Sequence, residues 1–162
     1  MGPRPMSGSC IDLPDLESHQ RFGRVIAGLL VGGDIVALRG ELGAGKTTLV
    51  AAIGRSMGVD DISSPTFGII HEHPRLQGGR LLHVDAYRLG GVDELIDLGW
   101  DEWAGDPDTI VCIEWADRIE ALLDPRCLLD VKLWHAGDGR AAQVRWEDSE
   151  RLSSLLAAGD TP

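Results

Sequence analysis

Gly40-Glu41-Leu42-Gly43-Ala44-Gly45-Lys46-Thr47 is the stretch on which the fold turns. It fits G-x-x-x-x-G-K-[ST] and stands between an apolar run, Ile35-Val36-Ala37-Leu38, and a helix-like run from Thr48 to Met57. A strand before and a helix after are the context in which this pattern means a phosphate-cradling loop. Glycines let successive backbone N–H groups converge on phosphate oxygens, and the helix N-terminus behind them adds a favourable dipole. The segment expected to line the phosphates is Gly43, Ala44, Gly45, Lys46, Thr47 and Thr48. Lys46 is expected to reach the β- and γ-phosphates, and the Thr47 hydroxyl to bind Mg²⁺. Only two lysines occur in the chain, Lys46 and Lys132, and one falls where the pattern demands it. The competing reading is a Gly-rich turn that caps an ordinary helix.

Working outward, 162 residues suit one domain with a sizeable core, expected to span 1–162 with 1–6 and 158–162 frayed. No apolar run approaches the length of a membrane span, and Met1 to Cys10 lacks an apolar signal core, so a cytoplasmic location is expected. The formal net charge of −11 argues against direct binding to nucleic acid, because an acidic chain gains nothing from counterion release on a polyphosphate backbone. If the work concerns RNA, another protein must hold it. Cys10, Cys112 and Cys127 show no metal-type spacing, and Cys112 reads as a small buried hydrophobe.

Strand-like runs at 7–12, 34–39, 67–73, 80–86, 110–114, 127–135 and 141–147 alternate with helical patterns. The helices are expected at 15–31, 46–57, 92–97, 116–123 and from Ser149 onward, with a further short turn at Gly99 to Trp103. His73 to Gly79 and Gly137-Asp138-Gly139 read as hairpin connections. The fold class is therefore α/β: a P-loop mixed sheet, mainly parallel with antiparallel hairpin strands, and helices on both faces.

A phosphate loop supplies only part of a site, and a second strand should end in a carboxylate near the Mg²⁺. Leu81-Leu82-His83-Val84-Asp85 and Ile110-Val111-Cys112-Ile113-Glu114 both end that way, at the strand edge where ligands bind in open α/β sheets. For Asp85 and Glu114 the alternative is a helix cap or a surface charge. Ser63-Ser64-Pro65-Thr66-Phe67 lies where nucleotide switch loops lie, so Thr66 is a candidate γ-phosphate sensor, although Ser-Pro-Thr is also an ordinary turn. His71 and His73 share a strand face without a third ligand, and Trp100 and Trp103 read as packing anchors. Guanine readers commonly use Asn-Lys-x-Asp, and the chain has no asparagine and no Lys-x-Asp. A small-molecule P-loop kinase is the stronger rival. Such enzymes carry an Arg-rich lid, for which Arg118 to Arg126 is the nearest and a sparse candidate.

The order of motifs narrows these options. Gly-Glu-Leu-Gly-Ala-Gly-Lys-Thr-Thr (40–48), Ser-Pro-Thr-Phe (64–67), His-Val-Asp-Ala-Tyr-Arg-Leu (83–89), Asp-Glu-Leu-Ile-Asp-Leu-Gly (93–99) and Ile-Glu-Trp-Ala-Asp-Arg (113–118) resemble the bacterial TsaE (YjeE) family. The resemblance covers roughly residues 11–147. It implies a Mg²⁺-dependent ATPase needed for N6-threonylcarbamoyladenosine (t6A) at position 37 of tRNAs that read ANN codons. It also implies that the chain acts with a TsaB–TsaD pair, turns over slowly alone, and meets tRNA only through that complex. By the family pattern Lys46 contacts phosphates, Thr47 binds Mg²⁺, and Asp85 and Glu114 serve metal and water positioning. Thr66 falls in the switch-like loop and Trp115 follows the acidic strand end. The adenine pocket would involve Pro14 to Glu17, with Leu16 where an acidic residue is often found, and the turn near Gly139. Phe67 replaces a Tyr that some members carry.

Overall fold

In a computed structural model, residues 9–62, 68–125 and 128–159 are described. Seven strands form one sheet: β1 (Cys10–Leu13), β2 (Ile35–Arg39), β3 (Ile70–Pro74), β4 (Arg80–Asp85), β5 (Thr109–Glu114), β6 (Leu128–Ala136) and β7 (Gly139–Trp146). Their spatial order is β1-β7-β6-β2-β5-β4-β3. Parallel pairing joins β6, β2, β5 and β4, while β7 and β3 run against their neighbours and β1 against β7. Five of the seven strands therefore point one way, and the sheet is mixed and mostly parallel.

Side-chain alternation divides the interior in two. Val36, Leu38, Leu81, Ile110, Cys112, Leu129 and Val131 face one side. They meet helices α1 (Leu16–Leu29), α2 (Lys46–Ser56) and α5 (Ser149–Gly159) through Phe22, Ile26, Leu49, Ile53 and Leu155. Ile35, Ala37, Leu82, Val84, Val111 and Ile113 face the other side. There they meet α3 (Val92–Asp97), α4 (Trp100–Trp103) and two 3-10 segments, Ala86–Arg88 and Ala116–Leu122. All six residues of β5 are buried, as a strand covered on both faces requires. The Cys112 thiol, enclosed in this core, is pushed up to about 12 by burial, so it behaves as an inert hydrophobe. Trp100 and Trp103 are each 5 % exposed and meet edge to face at 5.2 Å, which makes them packing anchors.

Two devices fix the helices that carry the phosphate loop. Asp15 caps α1 reciprocally with Ser18, accepting from the Ser18 N–H at 2.8 Å while its own N–H donates to Ser18 Oγ at 3.2 Å. Gly23 then lets α1 lie directly on α2, for a Cβ there would stand 2.4 Å from Ala52 Cβ. Gly23→Leu is therefore expected to force the two helices apart and cost about 1–3 kcal/mol. A melting temperature within about a degree of wild type, measured by calorimetry, would show that the contact is not limiting. At the start of β2, buried Asp34 accepts from Val31 N–H at 2.7 Å and from Arg151 Nη1 at 2.6 Å. Arg151 also bonds Asp148 and lies over the Trp146 ring at 4.2 Å, so α5 is tied to the strand that leads into the loop.

Several boundaries differ from those expected of the sequence. The helix expected at 116–123 is a 3-10 helix over Ala116–Leu122: it leaves a left-handed Trp115 (φ 59°) and breaks at Ile119 (φ −127°, ψ 27°). Ala116 and Ile119, three residues apart, eclipse on one face of that tighter helix and both are buried. The strand expected at 67–73 begins only at Ile70, where its register with Val84 starts. The first strand extends to Leu13, opposite Arg140. Helix α5 continues through Ala158 and Gly159, two residues expected to be frayed. Residues 1–6, Thr66, Phe67, Cys127 and 160–162 lie outside the described residues.

Candidate functional site

The phosphate loop leaves β2 at Gly40 and enters α2 at Lys46. Two glycines are conformationally required. Gly40 has φ 140°, and a Cβ there would stand 2.3 Å from the Leu133 carbonyl oxygen; Gly45 has φ 101°, and its Cβ would stand 2.5 Å from the His19 ring. The backbone N–H of Leu49 donates to Gly45 O at 3.0 Å, so the glycine is already the first carbonyl of the helix. Ala44 contributes only through its backbone: its methyl is fully buried in the core and its N–H donates to Glu41 O at 3.1 Å.

Lys46 is folded inward at 5 % exposure. Its ammonium donates to Gly40 O at 2.6 Å and to Glu41 O at 2.8 Å, and lies 3.9 Å from the centroid of the Trp115 ring. Burial pulls its pKa down, against the opposing pull of Glu114, Asp117 and Asp85. Trp115 in turn meets Tyr87 at 5.0 Å, and Arg118 lies over Tyr87.

The two acidic strand ends stand side by side, since Asp85 of β4 pairs in register with Glu114 of β5. Their environments differ. Glu114 is 5 % exposed, and Thr47 Oγ1 donates to its Oε1 at 2.6 Å. Its Oε2 lies 2.5 Å from His83 Nε2. Asp85 instead accepts from Tyr87 N–H at 3.1 Å, capping the 3-10 turn, with Arg88 Nε at 3.7 Å. Thr47, Glu114 and Asp85 thus form a set of hard oxygen donors at the mouth of the loop. Among the described residues no group of three or more His, Cys, Asp or Glu side chains is arranged to hold a metal alone. A hydroxyl and two carboxylates fit Mg²⁺, which is typically held by one or two carboxylates and completes its shell with phosphate and water. The loop fits phosphate, since Lys46 meets neutral carbonyls and the start of α2.

Beside the loop a groove of about 220 Å³ runs between the N-terminal end of α1 and the β6–β7 hairpin. Leu16, Gly43, Gly45, Thr48 and Gly139 all line it, together with Leu13, Pro14, Asp15, His19, Asp138 and Arg140. Leu16 is 60 % exposed, leaving an apolar side chain open at the rim. His19, Arg140 and His83 were not singled out as site residues by the sequence. His19 is 4 % exposed and its Nε2–H donates to Gly45 O at 2.9 Å. Burial pulls its imidazole pKa down; the Gly45 bond opposes that and Arg140 adds to it. Its signal was a polar residue on the buried stripe of α1, one turn before Phe22 and Gly23. Arg140 donates from Nε to Gly43 O at 3.1 Å, a contact that depends on β6 lying next to β2.

Comparison with known proteins agrees with this geometry. Residues 13–143 match the family described as "Threonylcarbamoyl adenosine biosynthesis protein TsaE". A Streptomyces coelicolor protein named tRNA threonylcarbamoyladenosine biosynthesis protein TsaE is 46% identical over 145 residues, covering 87% of this chain and 95% of its own. A protein of the same name from Mycobacterium tuberculosis is 36% identical over 148 residues, covering 86% and 88%. Among solved structures, the crystal structure of Bacillus subtilus YdiB superposes with a TM-score of 0.75 at 26% identity, covering 98% of this chain and all of that one. With a family match across most of its length and curated relatives above one-third identity, the chain belongs to the TsaE family.

Proposed function

We propose that the chain is a Mg²⁺-dependent ATPase that serves t6A formation at position 37 of ANN-decoding tRNAs, in the cytoplasm and together with TsaB- and TsaD-like proteins. The observation that carries the chemical part is the contact of Thr47 Oγ1 with Glu114 Oε1 at 2.6 Å, beside the inward-folded Lys46. The family relationship carries the pathway.

In this reading Mg²⁺, when bound, would neutralise negative charge on the phosphates. Thr47, Glu114 and Asp85 would hold or orient it, and Lys46 would exchange the Gly40 and Glu41 carbonyls for phosphate oxygens. Gly43, Ala44, Gly45 and Thr48 line the phosphates, while Leu16 and Gly139 flank the base in the groove. Thr66 is proposed as the γ-phosphate sensor of the segment that precedes β3. Slow turnover alone is part of this reading: Glu114, Asp117 and Asp85 place three carboxylates near Lys46, where a polyphosphate has to enter. A partner that supplies positive charge or closes the site would relieve this.

The kinase reading calls for a basic lid over the phosphates. Arg118, its nearest candidate among the described residues, lies over the Tyr87 ring at 5.0 Å, and neighbouring Ile119 is fully buried, which favours the ATPase. The acidic surface is consistent with a module that leaves tRNA to its partners. Depletion of the protein in its host is expected to lower t6A in total tRNA severalfold, read by mass spectrometry of nucleosides, with recovery on re-expression. Unaltered t6A would overturn the pathway assignment.

A further inference from the structure

His83 is wholly buried in β4, on the sheet face that carries Cys112, Leu81 and α2. A histidine in such a place usually satisfies both ring nitrogens. Here only one is satisfied. Nε2 lies on Glu114 Oε2, while Nδ1 is buried with no hydrogen-bond partner among the described residues. An ionised carboxylate only accepts, so Nε2 carries the hydrogen and donates it. The other oxygen of Glu114 accepts from Thr47. The carboxylate is thus gripped from two sides, by the phosphate loop and by the neighbouring strand.

We infer that His83 is a positioning residue that fixes the Glu114 carboxylate so that its Oε1 orients the Thr47 hydroxyl for Mg²⁺. The inference rests on the proposed nucleotide-binding function and deepens it. Three observations make the link specific. Register places His83 opposite Cys112, two residues before Glu114 on the adjacent parallel strand, so the reach across is short. With Nδ1 left without a partner among the described residues, the bond to Glu114 is the ring's one hydrogen bond there. Both partners are also enclosed, His83 wholly and Glu114 to 5 % exposure, so water does not compete for the bond. A residue that orients a metal-side carboxylate typically changes metal affinity or activity by about 10–100-fold when removed.

The experiment uses two polar replacements that differ in where they place an N–H. The amide nitrogen of glutamine falls where His Nε2 stands, and that of asparagine falls nearer Nδ1. ADP binding is measured by calorimetry with Mg²⁺ and with EDTA, and the ratio of the two affinities is the readout. H83N is expected to leave affinity in EDTA within about threefold of wild type and to reduce the gain given by Mg²⁺ at least tenfold; H83Q is expected to restore most of that gain. A role limited to folding would move both variants and both conditions alike, and that result would overturn the inference. So would an H83N chain that keeps the full Mg²⁺ gain. A wild-type chain that binds no nucleotide, or binds it indifferently to Mg²⁺, would overturn the proposed function and this inference with it. Should either variant fail to fold, the His83 Nε2–H resonance of ¹⁵N-histidine-labelled wild type decides: it shifts in E114A if the bond orients the carboxylate, and an unmoved resonance overturns the inference.

Discussion

Lys46→Ala is expected to abolish partner-stimulated ATP hydrolysis and to weaken nucleotide binding by at least about 100-fold. The ammonium is the one cation enclosed by the loop among the described residues, held by two carbonyls at 2.6 and 2.8 Å in a slot closed by the Trp115 ring. In exchange for these it would make charge-assisted bonds to phosphate, each contributing about 1.5–3 kcal/mol. Two such bonds correspond to on the order of 10²–10⁴ in affinity. Lys46→Arg is not expected to rescue. A planar guanidinium cannot occupy a 5 %-exposed slot shaped for a compact ammonium and floored by an indole. The fold should survive, because the lysine bonds only carbonyls of its own loop, and a melting temperature within a few degrees of wild type separates loss of function from loss of structure. Calorimetry with ADP and phosphate release in the presence of the partner proteins are the measurements. Normal stimulated hydrolysis in the alanine variant would remove the loop from the mechanism.

How far this site could be read from sequence follows from the range of each contact. The loop and its flanking strand and helix are local, so Gly40 to Thr47 stated their own geometry through residue type and spacing. The acidic strand ends were also local features, and each stands at the C-terminal edge of a parallel strand. What the sequence left open was pairing. Asp85 and Glu114 were both candidates for the metal, and the register puts both beside the loop but only Glu114 on Thr47. Asp85 also shows the rival role considered for it, capping the Tyr87 N–H. His83 showed no role of its own, because its partner sits 31 residues away on a neighbouring strand. The edge position of β1 against β7 was likewise invisible, since Cys10 and Gln143 meet only after the rest of the sheet has formed. The segment after Trp115 is helical as expected, and only the type of helix was open. Apolar spacing distinguishes a 3-10 from an α-helix poorly over seven residues, and the left-handed start at Trp115 has no glycine to mark it.

Glu114→Ala is expected to lower kcat by about 10²-fold or more while leaving nucleotide affinity in EDTA within about threefold. The asymmetry comes from what the carboxylate touches. It meets no element of the base groove, and its two oxygens accept from Thr47 and His83. Its loss therefore leaves the loop and groove able to bind, but removes the acceptor that orients Thr47 and a negative charge from the metal side of the site. A loss of about 2.7 kcal/mol in the transition state corresponds to that 10²-fold, within the range for one charged acceptor and its metal-side contact. A fall in kcat with little change in ground-state affinity is what an interaction realised mainly in the transition state leaves behind. Truncation also strands the His83 Nε2–H inside the core, so a stability loss of about 1–3 kcal/mol should accompany it. Glu114→Gln keeps an oxygen and the volume but not the charge. It should recover much of the stability and little of the rate, which separates packing from electrostatics. Asp85→Ala is the matched comparison, because Asp85 stands in register beside Glu114 but spends one oxygen on the Tyr87 N–H. Stimulated phosphate release measured for all three variants assigns the roles. An unchanged rate in Glu114→Ala with a collapsed rate in Asp85→Ala would hand the metal to Asp85 and leave Glu114 as a structural acceptor for Thr47.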